Sequence, residues 1–128
     1  MEWYKNIGGT QNDSVTNVIE TTDGGVIVIG TFSSAEIVLE EGLVLKNGNK
    51  FIIKYSDKGE IIWAKQIEGV NINSGIPTID GGLLIGGSFI GNIELENGTN
   101  FNARDKDGII IKYEKSGKME WAPSCRGW

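Results

Sequence analysis

TTDGGVIVIGTF, residues 21–32, returns as TIDGGLLIGGSF at residues 78–89. The match extends outward from there. KFIIKYSDKGEIIWAKQI (50–67) aligns without a gap to GIIIKYEKSGKMEWAPSC (108–125), and IVLEEG (37–42) aligns to IELENG (93–98). Trp3 recurs as Trp63 and again as Trp121, so the opening EWYKNIGG (2–9) corresponds to IWAKQIEG (62–69). The chain therefore holds two repeats of about 60 residues, preceded by the last strand of a third. Length differences fall where loops are expected. The second repeat is shorter ahead of Asp80 and longer in NARDKDG (102–108).

Each repeat reads as strands. TNVIET (16–21) alternates enough to be a first strand, and DGG is a turn in which Gly supplies positive φ. VIVIGTF (26–32) is β-branched and almost wholly apolar, which predicts a strand covered on both faces. FIIKYS (51–56) and EIIWAKQI (60–67) are the third and fourth strands. DKG (57–59) joins them, as KSG (115–117) does in the second copy. A small extra hairpin, IVL-EEG-LVL (37–45), sits between the second and third strands. No segment sustains a 3.6-residue apolar period, so helix is not expected.

Four antiparallel strands per repeat is the pattern of a propeller blade. The series of Trp3, Gly8, Gly9, Asp23, Gly24, Gly25, Gly30, Phe32, Lys54, Tyr55, Gly59, Trp63 and Ala64 resembles the SBBP-type β-propeller repeats of bacterial, often exported, proteins. The second copy keeps Gly69, Asp80, Gly81, Gly82, Gly87, Phe89, Lys112, Tyr113, Gly117, Trp121 and Ala122. Two departures stand out: Glu68 replaces the first Gly of the pair, and the tail PSCRGW leaves the pattern. The resemblance implies an all-β, propeller-type fold of two four-stranded antiparallel blades plus one extra N-terminal strand. It also implies a bacterial exported or cell-surface origin, although no signal peptide opens this chain: MEWYKNIGG lacks a basic region followed by an apolar one. It transfers no catalytic residue. The expected layout is an outer strand of a preceding or neighbouring blade at 1–9, blade repeats at 10–67 and 68–122, and a divergent tail at 123–128.

Composition narrows the function classes. At 128 residues and 39% hydrophobic, the chain is long enough to bury one domain's core. Nineteen Gly and two Pro fit many tight turns between extended segments. The net charge is −5 with no cluster of Lys and Arg, which argues against nucleic acid and against an anionic membrane surface. No histidine is present, which removes a Ser-His-Asp triad, a Cys-His pair and most zinc or iron sites. Cys125 is the single cysteine and has no internal partner for a disulfide.

A residue kept in both copies is expected to be structural, because a catalytic site is rarely built twice. On that ground Trp3, Trp63 and Trp121 fill space between blades rather than stack on glycans. Asp23, Gly24, Gly25, Asp80, Gly81 and Gly82 serve turns, and Tyr55 and Tyr113 are repeat positions of the strands. Lys54 and Lys112 are expected in solvent. Residues found in one copy only are freer to bind ligand: Asp13 in QNDS (11–14), and Arg104, Asp105 and Asp107 in RDKD (104–107), are the rim candidates. ARDKDGIIIKYE (103–114) is not an EF-hand, since Ala103 holds the first ligand position and the segment aligns with a strand. No catalytic residue, cofactor or metal site is assigned.

Two blades do not close a ring. An exposed blade face of about 400 Å² forgoes roughly 10 kcal/mol of burial at about 25 cal/mol per Å². The chain is therefore expected to oligomerise in threes or fours, to be the remainder of a longer propeller, or to pack its sheets face to face. The leading functional expectation is a non-catalytic module for protein or glycan recognition or scaffolding. The alternatives are a lectin-like multivalent glycan binder, a histidine-free carboxylate enzyme (hydrolase or lyase), and a purely structural spacer.

Overall fold

The computed structural model describes residues 3, 5–8, 12–34, 36–39, 43–46, 50–96, 98–121 and 124–125. Among the described residues there are strands and turns and no helix. The chain divides into two compact units, Met1–Ile67 and Glu68–Trp128.

The first unit contains β1 (Asp13–Glu20), β2 (Val26–Phe32), β3 (Glu36–Val38), β4 (Val44–Lys46), β5 (Lys50–Tyr55) and β6 (Ile61–Ile67). Four of these form an antiparallel sheet in the order β1-β2-β5-β6, and β3 pairs β4 as a separate hairpin. The central strands carry the apolar runs. β2 and β5 are buried along most of their length, whereas edge strand β1 is largely exposed. Alternate residues Val28, Phe32, Phe51, Ile53 and Tyr55 share one face and pack with Ile37 and Leu45, so the hairpin lies over that face. Gln66 of β6 clamps the hairpin. Its amide accepts from the Lys46 N–H (2.9 Å) and donates to the Lys46 carbonyl (2.6 Å). On the opposite face Ile27, Ile29, Ile52 and Lys54 are buried as well, so the strand predicted to be covered twice is so.

The second unit contains β7 (Asn71–Pro77), β8 (Leu83–Glu94), β9 (Asn100–Tyr113), β10 (Met119–Trp121) and β11 (Ser124–Cys125). Its antiparallel order is β7-β8-β9-β10, with β11 also on β9. The repetition reaches the irregularities. β1 shifts register between Val15 and Asn17, and β7 shifts at the equivalent place between Ile72 and Ser74.

The extra hairpin differs between copies. In the second unit it is the far end of two long strands, β8 and β9. In the first it is detached. There the Ser33 N–H is shared between the Asn12 carbonyl (3.0 Å) and the Asp13 carboxylate (3.2 Å), and the Ser34 N–H donates to the same carboxylate at 3.4 Å. The second copy has Ile90 and Gly91 at those positions and Val70 in place of Asp13. Its two additional residues are absorbed opposite Ile90 and Gly91, where Arg104 and Asp105 have no partner in the register.

Both ends have contacts within this chain. Trp3 and Lys5–Gly8, expected in an outer strand, lie in no strand. Trp3 instead packs on Tyr55, with ring centroids 5.6 Å apart, and its Nε1–H donates to the Asp57 carbonyl at 3.2 Å. Side chains anchor the segment: Ile7 packs on the same core cluster and Lys5 Nζ lies over the Tyr55 ring. The tail also keeps the backbone pattern further than its sequence suggests. Ser124 and Cys125 pair with Ile109 and Gly108, the register that Gln66 and Ile67 hold against Phe51 and Lys50. Pro123 lies outside the described residues.

Candidate functional site

The repeated TTDGG and TIDGG stretches build the same polar lock twice. In the first unit the Thr21 hydroxyl donates to Asp23 Oδ1, and the Gly25 N–H donates to Thr21 Oγ1 (3.0 Å) and to Asp23 Oδ1 (3.2 Å). The other carboxylate oxygen, Asp23 Oδ2, accepts from Lys54 Nζ at 2.8 Å. In the second unit Thr78, Asp80, Gly82 and Lys112 repeat this arrangement, with the Lys112–Asp80 contact at 3.1 Å. The two glycines of each turn have different reasons. Gly24 and Gly81 sit at φ of 87° and 85°, where only glycine is unstrained. Gly25 and Gly82 are held by close approach, since an added Cβ would stand 2.5 and 2.2 Å from the carbonyl oxygens of Tyr55 and Tyr113.

The lysines correct the expectation of solvation. The Lys54 side chain is fully buried and the Lys112 side chain is 20% exposed. Alternation along a strand says which face a residue takes, not whether that face is wet. A buried ammonium needs a partner, and the turn aspartate supplies it. The electrostatics follow. Hydrogen bonds from Lys54 and then Thr21 hold the Asp23 carboxyl far below its ordinary 3.8. Hydrogen bonds from Thr78 and then Lys112 hold Asp80 at about 2. Glu120, at 3.0 Å, and then Asp80 raise Lys112 above its ordinary value. Burial, with the charge of Glu96 second, pushes Tyr113 upward.

Beside the first lock lies a cleft of about 620 Å³, lined by Trp3, Glu20, Gly24, Gly25 and Asp57 among others. Trp3 forms one wall. Its other contact is Gly59 at the β5–β6 turn, where an added Cβ would fall 3.0 Å from the indole. Sequence reasoning missed this cleft because it joins the N-terminal segment to two turns far apart in the chain.

The remaining candidates are dispersed. Asp13 is engaged structurally: the Ser34 hydroxyl, fully buried, donates to it at 2.9 Å. Arg104 and Asp105 are exposed at the interruption between β8 and β9, and Asp107 is half-buried opposite Phe89. Among the described residues no group of three or more His, Cys, Asp or Glu converges to hold a metal ion. Trp63 is only 9% exposed and stands opposite Lys54, leaving no platform for stacking. Trp121 stands opposite Lys112 in the ladder.

Over 121 residues the chain is 26% identical to an uncharacterized WD repeat-containing protein of Acanthamoeba polyphaga mimivirus. The match covers 78% of this chain and 9% of that much longer protein. It is a distant likeness to a repeat protein. No family model matches the chain, so the SBBP-type resemblance rests on the sequence pattern alone. No solved structure matches it.

Proposed function

We propose that this chain is a non-catalytic, β-propeller-type repeat module that works by protein–protein contact, first of all with a second copy of itself. Each four-stranded unit is one blade, and copies join head to tail.

One observation carries this reading. Equivalent positions of the two sheets differ in burial chiefly on one face. In the first unit Ile19, Ile27, Ile52, Lys54 and Trp63 are all buried there. Four of their second-unit equivalents, Ile76, Leu84, Ile110 and Lys112, have kept the residue types but not the cover. Ile76 is 55% exposed where Ile19 is 7% exposed, and Leu84, Ile110 and Lys112 are only half-buried. Ile90, on the same face, is 70% exposed. An apolar row written for burial and left open favours an occupant of the kind that suits its twin. A copy of this chain offers such an occupant, and a head-to-tail contact closes when enough copies meet. The likeness to a WD repeat-containing protein favours the same class. Neither the lectin-like reading nor the carboxylate enzyme gains support from any contact described above.

The test is the native mass of the purified chain at micromolar concentration. A defined multiple of the 13.9 kDa chain is expected. A folded monomer across that range would overturn self-assembly.

A further inference from the structure

The cleft beside Trp3 has a chemistry that the repeat framework does not require. Its Thr21, Gly24 and Gly25 recur as Thr78, Gly81 and Gly82 and belong to the lock. Glu20 and Asp57 do not recur: the second copy has Pro77 and Lys115 in their places. So the shared residues build the turn, and the two acids are peculiar to the first unit. Both are exposed. Among the described residues neither side chain makes a hydrogen bond or an ion pair, whereas neighbouring Asp23 is fully engaged. The two turns face each other closely, with an added Cβ on Gly24 falling 3.9 Å from Asp57 Cβ. The third component is aromatic. Trp3 is fixed from behind by Tyr55, Gly59 and the Asp57 carbonyl, so its position does not depend on a ligand. The same aromatic group already accommodates one ammonium, Lys5 Nζ, 5.5 Å from the centroid of Tyr55.

We propose that this cleft binds a basic side chain, arginine foremost, from a partner polypeptide. A guanidinium is flat, weakly hydrated and always charged, so it stacks on an indole while its N–H groups reach carboxylates on either side. A neutral sugar can donate hydroxyls to both acids but leaves their charge uncompensated. A small metal ion would find only two carboxylates and an apolar wall. The cleft lies wholly in the first unit and does not depend on self-assembly.

The probe is a hexapeptide of alternating arginine and glycine, titrated into labelled full-length chain and followed by amide and indole NMR shifts. Shifts at the Trp3 indole N–H and at the Gly24 and Gly25 N–H groups are expected. The double variant Glu20→Gln, Asp57→Asn should weaken binding about tenfold. A control variant, Glu36→Gln, Glu94→Gln, loses the same charge at exposed sites elsewhere and should bind like the parent. If the indole does not shift, or if both variants weaken equally, the proposal fails. Equal weakening would mean attraction to net negative charge only. Glycine hexapeptide, lacking the cation, should not bind; if it does, the charge recognition is wrong.

Discussion

A fully buried ammonium is the costliest group in the first unit, and Asp23 is the direct reason it is tolerated. Removing one partner from a buried pair strands the other. Asp23→Asn is therefore expected to cost about 3 kcal/mol in urea unfolding. Asp80→Asn should cost clearly less, because Lys112 is partly wet and keeps Glu120 as a second partner. The same two carboxyls govern the acid limb of stability. Their folded values lie below the ordinary 3.8, so their stabilisation is complete above that value and is lost as pH falls through the folded ones. Stability should decline from about pH 4 downward, with Asp80 spent near 2 and Asp23 lower still. Urea midpoints measured from pH 5 to pH 2 check this, and Asp80→Asn should flatten part of the slope.

At the scale of elements, the detached β3–β4 hairpin acts as a lid on the first sheet. Ile37 is fully buried within the cluster of Val28, Phe32, Phe51, Ile53 and Tyr55, and Val38, one residue on, is 63% exposed. Ile37→Ala is expected to destabilise by about 3 kcal/mol, the range for emptying a packed core site. Val38→Ala should stay within about 0.5 kcal/mol. Urea unfolding of both variants separates a packed lid from a loose one. The strands themselves were legible in VIVIGTF, FIIKYS and EIIWAKQI, since a β-branched apolar run between Gly turns has few other uses. The detachment was not, because it turns on Asp13 gathering the Ser34 N–H and hydroxyl, a contact between residues 21 apart in the chain.

At the scale of the whole molecule, the repeat makes one substitution mean two things. Ile19 and Ile76 are equivalent, but only the second is exposed. Ile76→Lys should leave the chain folded by circular dichroism and break the assembly, read as a fall to the monomer mass. Ile19→Lys should unfold the chain, since it buries a charge without a partner. If Ile76→Lys leaves the native mass of an assembled chain unchanged, the open row is not the contact.

By itself the sequence determined that there are two copies of one antiparallel unit, where their strands run and which turns require glycine. These follow from local periodicity and backbone geometry, which neighbouring residues impose on one another. Only the tertiary structure decided that Lys54 is dry, that Asp13 is spent on Ser34, and that Trp3 meets Asp57 from 54 residues away. Burial and partnership are settled by what arrives from elsewhere in the chain, and no run of adjacent residues carries that information.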